Sequence, residues 1–331
     1  MTHARKTSRH KSILSAPRDV FLLPGKGYFS IMENPISIAF LYPAERDLGA
    51  LIAINLEENK KRYIEPQIGY DSRATTVTDE DGDDSDLMCA PKLHLTFSEK
   101  PSGSHGFWIG LDPQCDVILK EEKLGKISKK HCFITFDKQR RLILRDSSTY
   151  GTIVTYDDRG RERRAHHTWC LSGKQASCAS KIIIEIDRIR FQIVVSSHKN
   201  NTEEYYQNVD KFLRDIEENV SLGALGIYSN NSTTQHSGVQ TPMDTVPVYI
   251  MRHRLGKGGF SSVYMAWDSS TEKVCAVKCI NPGEKSEKNW KKEVDILMQA
   301  KRLQTVSFPY IFREIRLLIH TGTYYKDNPR R

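Results

Sequence analysis

The chain has 331 residues, enough for two or three ordinary domains, and 38% of them are hydrophobic. Lys and Arg outnumber Asp and Glu by 49 to 41, which gives a net charge of +8. No apolar run is long enough to span a bilayer, and the basic N-terminus lacks the apolar core of a secretory signal. We therefore expect an intracellular protein, in the nucleus or the cytoplasm, that has no membrane partner.

The chain contains seven cysteines, an odd number scattered without a regular spacing. This pattern argues against a disulfide framework and favours free thiols in a reducing compartment. Cys275 and Cys279 lack a second pair of ligands at the spacing that zinc sites use, so we interpret them as small buried hydrophobic residues. No metal site is predicted.

The N-terminal region, residues 1–86, has no continuous pattern. Its short apolar runs SIAFLY and ALIAI are compatible with strands, but the acidic run from Asp79 to Asp86 is typical of a disordered spacer. We predict that residues 1–86 are mostly irregular and poorly ordered. The positive charge is concentrated outside this region, largely in residues 87–200 and 248–331.

Residues 87–197 change to short runs in which apolar and polar residues alternate, separated by turn signals. This period-2 pattern at roughly ten-residue spacing predicts a β-sandwich. The runs are KLHLTF, FWIGL, DVILK, HCFITFD, RRLILRD, GTIVTYD, KIIIEI and RIRFQIVV. Residues 198–247 then become polar, with an amphipathic helix predicted from Tyr205 to Val220 and a flexible linker after it.

Three local features of the β-rich block carry groups suited to phosphate binding. The first is Gly110, where a strand enters a loop; the second is the loop Ile127–His131, with one hydroxyl and two ammonium groups. The third is the turn Asp146–Thr152, which is rich in hydroxyls and contains a glycine. Hydroxyl and ammonium donors on two loops at one end of a sandwich form a pocket for a phosphate dianion.

These features, in this order, resemble the forkhead-associated (FHA) domain, a β-sandwich of the FHA/SMAD-like type that binds phosphothreonine peptides. The resemblance implies that Ser128 and Thr149 bond the phosphate through their hydroxyls and that Lys129 adds charge. It also implies that His131 braces its loop from within and that Gly110 and Gly151 permit the turns. The expected partners are phosphothreonine-containing proteins.

The chain departs from the family pattern at two positions. Leu111 replaces the family arginine, which grips phosphate with two parallel hydrogen bonds, and Tyr150 replaces the family asparagine. We expect weakened phosphopeptide binding, partly compensated by neighbouring lysines. The predicted phosphopeptide-binding residues are Ser128, Lys129, Lys130, Thr149 and Tyr150.

A second motif begins at Leu255 and continues through a glycine-rich stretch to Val263, between two strand-like runs. A glycine-rich hairpin exposes backbone N–H groups and can close over nucleotide phosphates. The strand that follows, VCAVK, delivers Lys278, and a predicted helix carries Glu293. Trp290, Val294, Leu297 and Met298 form an apolar stripe on this helix, which leaves Glu293 able to reach Lys278.

This combination resembles the α+β N-terminal lobe of a protein kinase, covering residues 248–331. The resemblance implies that Lys278 and Glu293 form the ion pair that orients the phosphates of ATP, the expected cofactor. An FHA domain ahead of a kinase lobe resembles the Ser/Thr kinases of the checkpoint group, notably fungal FHA kinases of DNA-damage signalling. The implied ATP-binding residues are Leu255, Gly256, Lys257, Gly258, Gly259, Ser261, Val263, Ala276, Lys278 and Glu293.

Neither an HRD catalytic loop nor a DFG metal-binding motif occurs in the sequence. We therefore expect that this chain, truncated within the lobe, holds no catalytic aspartate and no magnesium ligands and does not transfer phosphate by itself. Two functions stay open: a Ser/Thr protein kinase in its full-length form, and a phosphopeptide-binding adaptor with a vestigial kinase portion. Direct nucleic-acid binding is disfavoured, because aromatic residues do not interleave with the basic runs.

Overall fold

The computed structural model describes residues 34–66, 90–120, 125–224, 246–259, 261–280, 292 and 315–316. Two sheets form a sandwich around one apolar core, and a third sheet lies beside it. The strands are β1 (Ser37–Pro43), β2 (Tyr63–Ile64), β3 (Lys92–Thr96), β4 (Phe107–Gly110), β5 (Val117–Ile118), β6 (Cys132–Phe136), β7 (Leu142–Asp146), β8 (Ile153–Tyr156), β9 (Thr168–Cys170), β10 (Ile182–Ile186), β11 (Ile189–Val195), β12 (Tyr249–Lys257), β13 (Ser261–Asp268), β14 (Val274–Ile280) and β15 (Ile315–Arg316).

The first sheet has the order β2-β3-β1-β11-β10-β8 and the second has the order β5-β4-β6-β7-β9. Their facing residues share one core, as the alternating pattern of the sequence predicts. Each of the eight alternating runs contains a strand. The β-sandwich prediction is therefore confirmed, with β9 as a further strand that the pattern did not reveal.

The sandwich begins earlier than the sequence predicts. Strand β1 is buried along its whole length and pairs antiparallel with both β11 and β3, and helix α1 (Leu48–Ile54) follows it. The prediction that residues 1–86 are poorly ordered is thus wrong for residues 34–66. The reason is that the partners of β1 are strands far away in sequence, so local pattern underestimates its order. Residues 1–33 and 67–89 lie outside the described residues.

A buried ion pair fastens this N-terminal segment to the sandwich. The Arg62 guanidinium donates to Asp116 Oδ1 at 2.9 Å, and both side chains are fully buried. The other Asp116 oxygen accepts from the backbone N–H of Trp108, and the guanidinium lies 4.9 Å from the centroid of the Phe107 ring. The charges are thus paired and hydrogen-bonded, which is the condition under which a protein tolerates them in its interior.

The predicted amphipathic helix is confirmed as α2 (Thr202–Ala224). Tyr205, Val209 and Phe212 are spaced to share one helix face, and all three are buried in the sandwich core. The Phe212 ring stacks on Phe107 with centroids 5.7 Å apart. Helix α2 therefore packs against the sandwich.

The third sheet is an antiparallel meander of β12, β13 and β14, with β15 added parallel to β14. Its strands agree with the strand-like runs predicted after residue 248. The predicted helix with Glu293 and the apolar stripe from Trp290 to Met298 lies outside the described residues, apart from Lys292, which is helical.

Candidate functional site

Two loops meet at one end of the sandwich, as the sequence predicts for Ser128 and Thr149. The backbone N–H of Thr149 donates to Ser128 Oγ at 3.3 Å, which joins the loop before β6 to the loop between β7 and β8. Because Ser128 Oγ accepts this bond, its own hydrogen can point to a ligand. Thr149 is exposed and Ser128 is half-buried.

Gly110 allows the first loop to approach the end of β4. A Cβ atom at this position would lie only 2.1 Å from the carbonyl oxygen of Lys129. That oxygen accepts hydrogen bonds from the backbone N–H of Asp112 at 2.9 Å and from the Cys115 thiol at 3.4 Å. Gly110 is thus needed for close backbone approach, whereas Gly151, with φ of 81°, supplies the left-handed turn.

His131 braces the Ser128 loop from inside the protein. Its ring is fully buried, and its Nδ1 accepts a hydrogen bond from the backbone N–H of Ser128 at 3.1 Å. Burial lowers the pKa of His131, and the nearby Asp146 carboxylate opposes this shift only in part. A neutral ring that accepts at Nδ1 carries its hydrogen on Nε2, which lies 3.8 Å from Asp146 Oδ2. The bracing role implied by the resemblance has this physical basis.

Asp146 organises the second loop. Its buried carboxylate accepts from the backbone N–H and hydroxyl of Ser148, from the Thr152 hydroxyl at 2.6 Å and from the backbone N–H of His166. Sequence reasoning gave Asp146 no role, although an aspartate followed by a run of hydroxyl residues is a signal for such a turn. Asp146 therefore fixes the backbone around Thr149.

The predicted cations of the site differ in their surroundings. Lys129 is exposed on the loop itself, whereas the Lys130 ammonium group lies 5.7 Å from the centroid of the Trp108 ring, in a cation–π contact. Leu111 is half-buried and packs against the sandwich core, whereas the Arg163 guanidinium donates to the carbonyl oxygen of Gly151 in the second loop at 3.0 Å. Tyr150 is 46% exposed.

The glycine-rich stretch forms the turn between β12 and β13. The backbone N–H of Gly258 donates to the carbonyl of Ser261 at 2.7 Å, and this bond closes the turn. Residues 256–259 are exposed, and among the described residues nothing lies within 4 Å of a Cβ atom built at Gly256 or Gly259. The backbone of the hairpin is therefore exposed at its glycines.

The register of the meander brings three of the predicted ATP-binding residues together. Val263 on β13 is paired with Lys278 on β14, and Ala276 lies two residues before Lys278. Because side chains alternate along a strand, Val263, Ala276 and Lys278 share one face of the sheet. Leu255 on β12 is 46% exposed. Glu293, the predicted partner of Lys278, lies outside the described residues.

In the part of the chain that the structure describes, no group of three or more His, Cys, Asp or Glu side chains is placed to hold a metal ion. Within the same residues, no helix combines the length and the hydropathy needed to cross a membrane.

Comparisons with known proteins give two results for the chain as a whole. None of the curated proteins matches it. Among solved structures it is similar to one described as the crystal structure of Rad53 1-466 in complex with AMP-PNP, at 17% identity and a TM-score of 0.27. This similarity covers 67% of the present chain and 48% of the other, so less than half of that longer protein is represented. A TM-score this low does not establish a shared fold.

A comparison with protein families gives a more local result. Residues 107–168 match the FHA domain. The matched segment starts at β4 and ends at β9, and it includes the Ser128 loop, His131, Asp146 and the Thr149 loop. The chain therefore contains an FHA domain, and the two candidate loops belong to it.

Proposed function

We propose that the chain binds phosphothreonine peptides through the two loops that Ser128 and Thr149 join. The observation that carries the proposal is the 3.3 Å bond from Thr149 N–H to Ser128 Oγ, inside the segment that matches the FHA domain. This bond joins the loop that carries Ser128 and the exposed Lys129 to the loop that carries Thr149, and this contact supports a shared site for the two hydroxyls. A phosphate dianion offers the acceptor oxygens and the negative charge that such a set recognises.

The chemistry of this site differs from that of a site containing arginine. Leu111 supplies no fork of donors, so recognition rests on the Ser128 and Thr149 hydroxyls and on the point charge of Lys129. A point charge attracts phosphate without fixing its orientation. We therefore expect phosphopeptide affinity to fall steeply as salt concentration rises.

Titration of the full chain with a fluorescent phosphothreonine peptide library tests this proposal. We expect preference for the phosphorylated over the unphosphorylated peptides, and a loss of about tenfold or more in affinity for Ser128→Ala. Ser177→Ala is the control, because Ser177 is an exposed serine of the segment Ala176–Cys178, outside both loops. Equal affinity for phosphorylated and unphosphorylated peptides contradicts the proposal.

A second candidate function is ATP binding by the third sheet, as the N-terminal lobe of a Ser/Thr protein kinase in a checkpoint-type signalling protein. The register that places Val263, Ala276 and Lys278 on one face of the sheet supports it. Lys278 is suited to hold the α- and β-phosphates, while Val263, Ala276 and Leu255 contact the adenine and Gly256 and Gly258 cover the phosphates. The further predicted contacts are Lys257, Gly259, Ser261 and Glu293.

Binding of a fluorescent ATP analogue to the full chain tests this second candidate. We expect Lys278→Met to weaken binding about tenfold, since it removes the charge opposite the phosphates. Lys273→Met is the control, because Lys273 is an exposed lysine that precedes the same strand. A chain that binds phosphothreonine peptides but no ATP analogue supports the adaptor alternative instead.

A further inference from the structure

The turn between β13 and β14 inserts a carboxylate into the sandwich. Glu272 Oε1 accepts from the backbone N–H groups of Gln175 and Ala176, both at 2.9 Å, and Oε2 accepts from that of Lys174 at 3.0 Å. The Glu272 side chain is only 9% exposed, and the Arg141 guanidinium lies 3.7 Å from Oε2. A buried carboxylate thus has three N–H donors and one cation, all from the sandwich.

The backbone of the same turn is also bonded to the sandwich. The carbonyl of Ser269 accepts from the backbone N–H of Cys170 at 2.7 Å, and the carbonyl of Ser270 accepts from the Cys170 thiol at 3.2 Å. The carbonyl of Thr271 accepts from the Arg141 guanidinium at 2.9 Å. Three consecutive carbonyls of the turn therefore find donors in β9 and in the residue that precedes β7.

Apolar residues complete the contact. Val248, Ile250 and Trp267 are almost fully buried and belong to the same core as the sandwich. The Trp267 ring meets Tyr156 edge to face, with centroids 4.9 Å apart. The third sheet thus shares a hydrophobic core with its neighbour, in addition to the polar contacts of its turn.

We propose that the sandwich is an intramolecular docking partner for the β12–β14 meander, and that Glu272 is the latch that fastens it. The buried end of the meander, which carries Trp267, is held by hydrophobic burial, which has no preferred direction. The hydrogen bonds of Glu272 are directional, and they fix the position of the turn. The glycine-rich hairpin is thereby held in one orientation relative to the FHA domain. This proposal concerns the chain without ligand and is independent of both candidate binding functions.

Pulsed thiol labelling of the full chain, followed by peptide mass mapping, tests the latch. Cys170 is buried beneath the Ser270 carbonyl, and burial raises the pKa of its thiol to about 12, so it resists labelling while the turn is docked. We expect Glu272→Gln to label Cys170 about tenfold faster, because a neutral amide offers one acceptor oxygen to three donors. Glu272→Asp, which keeps the charge on a shorter side chain, gives a second and milder variant.

Two cysteines and one control variant make the test selective. Cys132, fully buried in the sandwich, must keep its wild-type labelling rate, whereas the exposed Cys178 reacts quickly in every variant. Glu204→Gln removes an exposed glutamate of α2 and must leave Cys170 protected. Wild-type labelling of Cys170 in both Glu272 variants overturns the proposal. Equal acceleration at Cys132 and Cys170 also overturns it, since the whole fold is then loosened.

Discussion

The sandwich and the third sheet bury their strands in different ways. In the sandwich, β1 and β6 are buried at every residue. In the third sheet, β12 is buried at Tyr249 and Ile250 but exposed from His253 to Lys257. The buried end of the meander faces the sandwich, and the exposed end carries the glycine-rich turn.

This difference indicates where each sheet obtains its stability. The sandwich encloses its own core, so its strands support one another. The meander has one small cluster of its own, around Tyr249 and Val277, and its largest buried side chain, Trp267, belongs to the sandwich core. Among the described residues the glycine-rich end of β12 is exposed, so we expect that end to be less stable locally than the buried end.

The largest effect is expected from breaking the buried ion pair of the sandwich. Asp116→Ala leaves Arg62 charged, buried and without its carboxylate, so we expect the free energy of unfolding to fall by about 3–5 kcal/mol. Urea denaturation measures it. Asp215→Ala breaks the exposed ion pair with Lys100 instead and serves as the control, with a much smaller change expected. Similar losses in the two variants contradict the view that residues 34–66 belong to the sandwich.

The docked end of the meander is tested by truncating its tryptophan. Trp267→Ala removes a fully buried ring from the shared core, and we expect a loss of about 3 kcal/mol in unfolding free energy. Hydrogen exchange is expected to accelerate more in β12–β14 than in β10 and β11. Tyr264→Ala truncates a half-buried aromatic residue of the same strand and provides the comparison. If Tyr264→Ala loosens the meander as much, its stability does not come from the docked end.

The sequence predicts the sandwich well where local pattern and pairing agree. The runs KIIIEI and RIRFQIVV form β10 and β11, neighbours in sequence and in the sheet, so a period-2 pattern is sufficient. Strand β1 could not be predicted in the same way, because both of its partners lie across long intervals of sequence. The run SIAFLY has few polar residues, and its order follows from hydrogen bonding to those distant strands and from packing in the core that it shares with α1.

The candidate site was predictable in its hydroxyls and lysines and, through the family resemblance, in His131 and its two glycines. Ser128 and Thr149 are visible as motif residues, whereas Asp146 acts through backbone N–H groups and neighbouring hydroxyls that assemble only after folding. The role of Glu272 is still harder to predict from the sequence, because a glutamate in a turn is usually a solvated charge. Its partners are backbone N–H groups nearly one hundred residues away, and backbone groups leave no mark in the sequence.

The free energy of unfolding is expected to depend on pH through His167, which lies where the two regions meet. Its Nε2 lies 3.3 Å from Ser269 Oγ in the docked turn, and burial lowers the pKa of His167 to about 4, outweighing the nearby Asp268 and Asp146 charges. Unfolding restores an ordinary pKa of about 6.5, so the unfolded state binds the additional proton. The free energy of unfolding therefore falls as the pH is lowered from about 6.5 to about 4, because the unfolded state gains the proton first. His167 accounts for no more than about 1.4 kcal/mol of this fall per pH unit.

Urea denaturation at several pH values in this window checks the effect. We expect His167→Gln to flatten the pH dependence of the unfolding free energy. His94→Gln serves as the comparison, because burial lowers the pKa of His94 to about 4 as well, but inside the first sheet. Both variants should flatten the curve, while only His167→Gln should alter hydrogen exchange in β12–β14. An unchanged pH dependence in His167→Gln refutes the assignment.

The smallest effects are expected from two lysines, the exposed Lys129 and the half-buried Lys278, and they separate the two candidate ligands. Lys129→Met should weaken phosphothreonine-peptide binding by about threefold and reduce its salt dependence, because an exposed charge is well screened. It should leave binding of the ATP analogue unchanged, whereas Lys278→Met should do the reverse. Fluorescence anisotropy with both probes on both variants measures this exchange of effects. We expect separate effects because the contact between the two regions fixes their geometry but leaves Lys129 and Lys278 in different regions. If either variant weakens the binding of both ligands equally, the two regions do not act as separate phosphate-binding surfaces.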